Sequence, residues 1–410
     1  SFQKGAYPHL YYMIILKNPH YRRLNFLIIW YNFNMKISKV CFVSSDFSFF
    51  RRYLFNLAAE TAKTNDVTVI TDGQNITPGD LRLLSESNIH FEQLAARSSE
   101  HKLKFPKYIY NLSKIIKRVN PDHVFYTTIE ISFFGSIITK FKSKRKSYFI
   151  ITGIGLDFFS KKIRYKVLNL IYRLTFKINS LNNNNSYIFQ NHDDQRLFLK
   201  AGFIGSNNSN VIGHFGIKLT NAIKTHTTES IRFFFAGRLV RSKGILELIE
   251  ATQILIAKYQ NFQTIVAGPD SFGSSDSLSK SERELLYSSK GIKYLGNIDY
   301  ENMYSLYQKY DVFVLPSYRE GLSTVALEAA ANGMPLIISD VPGCTECINN
   351  NGFLIQPRDA IDLAKKMERF IINPNLVKDF SQKSNDHIKL NYSTEKLAQD
   401  YLALMKNNTK

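Results

Sequence analysis

The sequence predicts an α/β protein built as two successive doubly wound domains that face each other across a cleft. Three observations predict it. From residue 39 onward, short β-rich runs alternate with helical stretches, the pattern of parallel βαβ units. The alternation lapses over 213–230, a stretch of Thr, Asn, Lys and His without helical periodicity that reads as a hinge, and restarts at 231. A chain of 410 residues with 44% hydrophobic residues can fill more than one core, and its 11 Pro and 20 Gly exclude collagen-like and low-complexity classes.

Residues 1–34 come first. They hold Lys4, Lys17, Arg22 and Arg23 with no acid, and Tyr7, Tyr11, Tyr12, Trp30 and Tyr31 stand among apolar residues. No run is long and apolar enough to span a bilayer as one helix. Met35-Lys36-Ile37 reads as an ordinary start before a first strand, so the extension is expected to lie upstream of the natural start; an interfacial anchor is the competing reading. The first domain is expected over 35–212, with strands at 40–44, 67–71, 123–126, 147–152 and 187–190, a helix at 50–64 and a long helical run at 161–178. The second is expected over 231–385, with strands at 231–236, 264–267, 292–295, 312–315 and 336–339, each followed by a helix. Residues 386–410 read as a C-terminal helix that crosses back to the first domain. Two such domains place a ligand between the carboxyl ends of their sheets. No repeat of solenoid length is visible.

Charge is distributed unevenly. The net charge is +19; residues 35–212 carry 26 basic and 13 acidic side chains, whereas 213–410 carry 23 and 21. That asymmetry points to a polyanion or an anionic membrane beside the front half. Lys140, Lys142, Lys144, Arg145 and Lys146, then Lys161, Lys162, Arg164, Lys166, Arg173 and Lys177, are interleaved with Tyr165, Leu168, Ile171, Tyr172 and Phe176. This composition suits an anionic leaflet, the alternative being a solvated helix packed on the first sheet. Three cysteines form no disulfide framework, and Cys344-x-x-Cys347 lacks the second pair or His cluster of a zinc site, so a reducing compartment is the simplest setting.

The chemistry concentrates in residues 316–328. The segment follows a buried strand and opens a helix, Gly321 permits close backbone approach, and the N–H groups of 321–324 at the helix start suit a phosphate. Glu328 follows Glu320 by about two turns and is expected on roughly the same side, where carboxylates would accept from sugar hydroxyls. A helix capped by Ser323 with two solvated acids is the alternative. Arg238, at the end of a Phe-rich strand, and Lys243, before Gly244 and the next helix, are expected to face the same cleft mouth and hold a diphosphate; a solvated loop would carry the same pair. His192-Asp193-Asp194 reads as a helix cap. No Asp-x-Asp occurs, so no metal-bridged nucleotide is indicated, and the basic pair with the helix dipole stands in for a cation.

Together these residues resemble the retaining glycosyltransferases of family 4, whose GT-B fold is two Rossmann-like domains facing across a cleft. The matching pieces are Gly237-Arg238-Leu239 with Lys243-Gly244, the pair Glu320 and Glu328, and Asp340-Val341-Pro342-Gly343-Cys344-Thr345-Glu346 followed by Asn351-Gly352. The front half is similar to bacterial members that build surface polysaccharides of O-antigen or capsule type, through Phe50-Arg51, Thr152-Gly153-Ile154-Gly155 and residues 189–194. The resemblance implies that Glu328 binds ribose hydroxyls and Glu320 the donor sugar, while Arg238 and Lys243 take the diphosphate. It further implies that Gly321, Leu322 and Ser323 line the sugar-phosphate pocket, that Gly296 and Ile298 lie near the base, and that Asp46, Arg51, Thr152, Gly153 and Gly155 serve the acceptor side. Two departures stand out. The first loop, residues 44–50, is not Gly-rich, and no His stands where many relatives have one, which leaves the departing diphosphate to take the acceptor proton.

The expected function is transfer of a hexose or N-acetylhexosamine, with retention, from a nucleotide-sugar to a polyprenyl-diphosphate-linked saccharide, without a metal cofactor. UDP is the family default and GDP stays open. The enzyme is expected in the cytoplasm, peripheral on the inner face of the membrane, with an anionic lipid surface as partner. A nucleotide-sugar epimerase of similar architecture would need neither an acceptor nor membrane-directed charge, and a non-catalytic lipid- or polyanion-binding protein would leave the Arg238, Lys243, Glu320 and Glu328 agreement unexplained. Nucleic acid is not an expected partner, since no recognition helix, zinc spacing or RNP-like strand is present.

Overall fold

In the computed structural model, which describes residues 37–74, 76–94, 105–139, 144–153, 163–220, 222–224, 230–274 and 276–407, two wholly parallel sheets form. The expected N-terminal extension, Gly155, Lys140, Lys142, Lys161 and Lys162 lie outside those residues. The first sheet has strands β1 Lys39–Val43, β2 Asp66–Thr71, β3 Ile89–Gln93, β4 His123–Thr127, β5 Lys146–Ile151, β6 Asn185–Phe189 and β7 Ser209–Val211, in the order β3-β2-β1-β4-β5-β6-β7. The second has β8 Ile231–Ala236, β9 Phe262–Ala267, β10 Ile292–Tyr294, β11 Val312–Leu315, β12 Leu336–Ser339 and β13 Gly352–Ile355, in the order β10-β9-β8-β11-β12-β13. In each sheet the winding reverses beside the first strand, between β1 and β4 and between β8 and β11. Ligands of such sheets bind at the carboxyl ends of these strands.

The strands form because their residues are apolar on both faces and buried on both, as parallel strands covered by helices must be. Phe233, Phe234 and Phe235 of β8 and Val312, Phe313, Val314 and Leu315 of β11 are fully buried. One core joins the front face of the first sheet to the second domain; a second lies under the helices α3 Phe105–Val119, α4 Ile129–Ile138, α5 Ile163–Asn179 and α6 His192–Lys200 on the back. On the front, α1 begins as Phe47–Phe49, widens into a π-helical stretch Phe50–Leu54, and continues as Phe55–Ala62; α2 is Pro78–Glu86, capped by a reciprocal Thr77 and Asp80 box.

The second domain's helices are α7 Ile245–Ile256, α8 Lys280–Ser288, α9 Tyr300–Lys309, α10 Thr324–Ala331, α11 Ala360–Ile372 and α12 Leu376–Asn391, followed by α13 Thr394–Asn407. The boundary expected between 385 and 386 is corrected: α12 runs through it, and the helix ends at Tyr392–Ser393, where the Ser393 hydroxyl accepts from the Lys396 amide at 3.3 Å. The two interdomain crossings pair there. Ile217 donates to the Tyr392 carbonyl at 2.8 Å and accepts from the Thr394 amide at 3.2 Å. Beyond the crossing α13 packs on α1, and its buried Tyr401 meets Phe125 of the first sheet at 5.8 Å between ring centroids.

Candidate active site

The site starts where β11 ends. The loop from Pro316 to Ser323 is pinned by three backbone hydrogen bonds: the Tyr318 amide to Ser242, the Glu320 amide to Pro342 and the Ser323 amide to Gly343, at 2.8, 3.3 and 2.8 Å. Gly244 makes the first approach possible. It sits at φ +73°, and a Cβ there would fall 2.1 Å from the Pro316 carbonyl. This close packing brings Lys243 beside the loop, and its ammonium pairs with Glu320. The Ser317 hydroxyl donates to the same carboxylate oxygen at 2.7 Å.

Ser323 ends the loop as N-cap of α10, yet among the described residues its buried hydroxyl has no hydrogen-bond partner and caps nothing. The expectation of four open amides over 321–324 is therefore corrected to three. The Ser323 N–H is held by Gly343, whereas those of Gly321, Leu322 and Thr324 meet no acceptor among the described residues. They face a cavity of about 350 Å³ whose walls include Lys243, Glu320 and Leu322 from the second domain and Phe49, Tyr53, Thr152 and Gln190 from the first. His214, at the start of the crossing, completes one wall, its Nε2 3.0 Å from the Thr324 hydroxyl; burial pushes its imidazole down to about 4, so the ring is neutral near pH 7.

The two domains touch backbone to backbone beside this cavity. A Cβ on Gly321 would lie 2.2 Å from the Thr152 carbonyl and 2.9 Å from the Gly153 Cα. The Asn191 side chain donates to the Gly321 carbonyl while capping α6 through the Asp194 amide at 2.7 Å. Asp194, expected only as part of a cap, is buried and receives Arg319 of the other domain at 2.6 Å.

Glu328 occupies different surroundings from Glu320. The helix begins only at Thr324, so the two-turn relation between the acids does not hold. Glu328 is 2% exposed and accepts from the Tyr307 hydroxyl at 2.9 Å, with Tyr300 close enough to act on its carboxylate. Arg52 reaches across from the first domain to 3.8 Å and lies over the Tyr300 ring. Burial raises the Glu328 pKa, opposed by Arg52 and the tyrosine hydroxyls.

The remaining expected residues fall outside the cavity walls. Arg238 is exposed and forms no ion pair among the described residues, so it does not join Lys243 at the cavity. Asp46 is spent as the N-cap of α1, accepting from the Phe49 amide at 2.7 Å. Arg51 turns to Asp80 at 3.3 Å, and its neighbour Arg52 enters the cleft in its place. Gly296 accepts from the Gly268 amide at 2.8 Å in a left-handed turn, and Ile298 packs on the core edge. Sequence reading missed Arg52, His214 and the tyrosines. Tyr300, Tyr304 and Tyr307, at i, i+4 and i+7 on one helix face, are the signal that could have found the last group. Among the described residues no cluster of three or more His, Cys, Asp or Glu is placed to hold a metal, and the three cysteines are buried and free.

Comparison with known proteins agrees with this division of the chain. Residues 216–387 match the family described as "Glycosyl transferases group 1", and residues 39–191 match "Glycosyl transferase 4-like". The chain is 28% identical over 334 residues to a Campylobacter jejuni protein, N,N'-diacetylbacillosaminyl-diphospho-undecaprenol alpha-1,3-N-acetylgalactosaminyltransferase, covering 75% of this chain and 83% of that one. It is also 28% identical to the Staphylococcus aureus capsular polysaccharide biosynthesis glycosyltransferase CapM, there over only 39% of this chain and 42% of that one. Among solved structures, Anabaena HepE in complex with UDP and glucose superposes with a TM-score of 0.72 at 17% identity, over 90% of this chain and all of that one. A Rickettsia africae glycosyltransferase gives 0.70 at 18% identity, over 92% and 99%. The fold is GT-B.

Proposed function

The chain belongs to the glycosyltransferases that join a 4-like domain to a group 1 domain, and on that premise we propose that it moves a sugar, with retention, from a UDP-sugar to a lipid-linked saccharide during surface polysaccharide biosynthesis, working peripherally at the cytoplasmic face of the membrane. One observation carries the reading: the open amides of Gly321, Leu322 and Thr324 share a cavity with the Lys243 and Glu320 pair and with first-domain side chains. A diphosphate there accepts from those amides at the positive end of α10. It also draws the Lys243 ammonium away from Glu320, which becomes an acceptor for a hydroxyl of the transferred sugar.

As the bond from the anomeric carbon to the phosphate oxygen breaks, charge grows on the diphosphate, where Lys243 and the amides stabilise it. The acceptor hydroxyl attacks from the same face, and its proton passes to the leaving phosphate oxygen. This route needs no side-chain base and no metal. Glu328 binds the ribose hydroxyls in this reading, so an entering donor displaces Arg52 from above it. The undecaprenol-linked acceptor in the name of the Campylobacter relative and the UDP and glucose bound to HepE support the choice of acceptor and donor.

Screening UDP- and GDP-sugars for nucleotide release that depends on a polyprenyl-diphosphate-linked saccharide tests the reading. Acceptor-dependent release of UDP is the expected result. Release without acceptor, or none with any donor, contradicts it.

A further inference from the structure

Helix α5, Ile163–Asn179, covers the back of the first sheet with only one of its faces. Tyr172, Phe176 and Asn179 turn inward, and Phe176 is fully buried against Tyr187 and Phe198. At ~100° per residue, Val167, Leu170, Ile171, Leu174 and Ile178 fall within an arc of about 100° on the opposite side. Each of the five is 46–61% exposed. An aliphatic ridge of this length in water marks an interaction surface.

Its flank identifies the partner. Lys166, Arg173 and Lys177 occupy a strip of about 40° along one edge of the ridge, all exposed and none paired with a carboxylate among the described residues. The helix contains no acid. In the same helical layer, α3 adds exposed Lys107, Lys114 and Lys117 around an exposed Tyr110.

We propose that α5 lies in the interface of an anionic lipid bilayer, with the aliphatic ridge among the upper acyl chains and Lys166, Arg173 and Lys177 reaching up to the headgroup phosphates. A second copy of this chain is the poorer occupant, because antiparallel ridge-on-ridge packing about a twofold axis perpendicular to the helix sets the basic strips side by side, and no acid on the helix faces them in either packing. The contact differs from a purely electrostatic one, since salt screens the strip but not the ridge. Among the described residues no helix is long and apolar enough to cross a membrane, so the ridge docks and does not span. The inference rests on the lipid-linked acceptor reading only for its purpose, and its test uses no acceptor or donor.

The test moves the full chain's sole tryptophan into the ridge with a Trp30→Phe, Leu174→Trp variant, and mixes it with phosphatidylglycerol vesicles carrying brominated acyl chains. Quenching and a blue shift are expected, with binding that high salt weakens but does not abolish. Ile171→Asp with Leu174→Asp should lower vesicle binding at least tenfold while the melting temperature stays at the parent's, because both side chains are exposed. Lys166→Glu with Lys177→Glu should weaken binding to anionic vesicles and leave the high-salt remainder. Unquenched emission from the Leu174→Trp variant, parent-like binding by the double aspartate variant, or a lipid-free dimer that the aspartates dissolve would each overturn the proposal.

Discussion

Gly321→Ala is the sharpest perturbation that the cleft offers. The residue does not adopt a left-handed backbone, so alanine is conformationally acceptable and the whole effect comes from the new methyl group. That methyl would sit 2.2 Å from the Thr152 carbonyl and 2.9 Å from the Gly153 Cα, both backbone atoms of the facing domain. Ordinary contact between such atoms begins near 3.4 Å, so the two domains must part by roughly 1 Å at the cavity, a misplacement that costs catalysis on the order of 10²-fold, about 2.7 kcal/mol. The separation moves Lys243, Glu320 and the α10 amides away from Thr152 and Gln190, and it strains the Asn191 bond to the Gly321 carbonyl. Initial-rate kinetics with donor and lipid-linked acceptor should show kcat down about 10²-fold and donor KM changed far less, because donor contacts lie within the second domain. Gly205→Ala, where a Cβ meets nothing within 4 Å, is the control. A Gly321→Ala enzyme that keeps kcat within about twofold and melts like the parent would refute the argument that this contact sets the distance between the half-sites.

Lys243→Ala should lower kcat by about 10²-fold and leave activity in EDTA proportionally unchanged; cation-specific collapse of the parent's activity in chelator would assign the diphosphate's charge to a metal instead. Donor KM should rise as pH falls through the raised pKa of Glu328, since the neutral acid is a poorer acceptor for ribose hydroxyls, and Arg52→Ala should move that limb to higher pH because Arg52 is the charge holding the pKa down; a limb unmoved in Glu328→Gln would assign it to another group. His214 stays neutral when folded but charges near 6.5 when unfolded, so the unfolded chain binds the extra proton and stability falls as pH drops from 6.5 towards 4. That loss is about 3 kcal/mol. Denaturant titrations of His214→Asn should show a shallower acid slope than the parent, the remainder coming from His123 and His387, whose burial also lowers their pKa, and a slope as steep as the parent's would contradict it.

The strands of the second domain were legible because they are short, continuously apolar and bounded by Gly, Pro or Asn, as in Phe233–Gly237 and Val312–Pro316. The anion site was legible for a related reason: a buried strand, a Gly and a helix start stand in succession at 312–324. What lay beyond reading was decided by packing between distant segments. Which of Arg51 and Arg52 enters the cleft depends on the π-helical stretch Phe50–Leu54, whose wider turn redirects successive side chains and leaves no composition signal. The Ser323 amide is closed by Gly343, a partner twenty residues on. Glu320 and Glu328 looked like one face of one helix, but the helix starts between them, so one acid meets Lys243 and the other is enclosed by tyrosines and a first-domain arginine. The break at Tyr392–Ser393 carried a weak signal, a Ser beside a Thr and a Glu, within a run that otherwise continues helically.

Retention of the anomeric configuration during sugar transfer is what the proposed function requires of this cleft. The most direct measurement supplies a UDP-sugar labelled with carbon-13 at its anomeric carbon together with a polyprenyl-diphosphate-linked saccharide, and reads the label by NMR. One labelled carbon is expected on each extended lipid-linked saccharide, in the configuration it had in the donor, with one UDP released per transfer. Label with inverted configuration, label in free sugar, or label remaining in an epimerised nucleotide-sugar would contradict it.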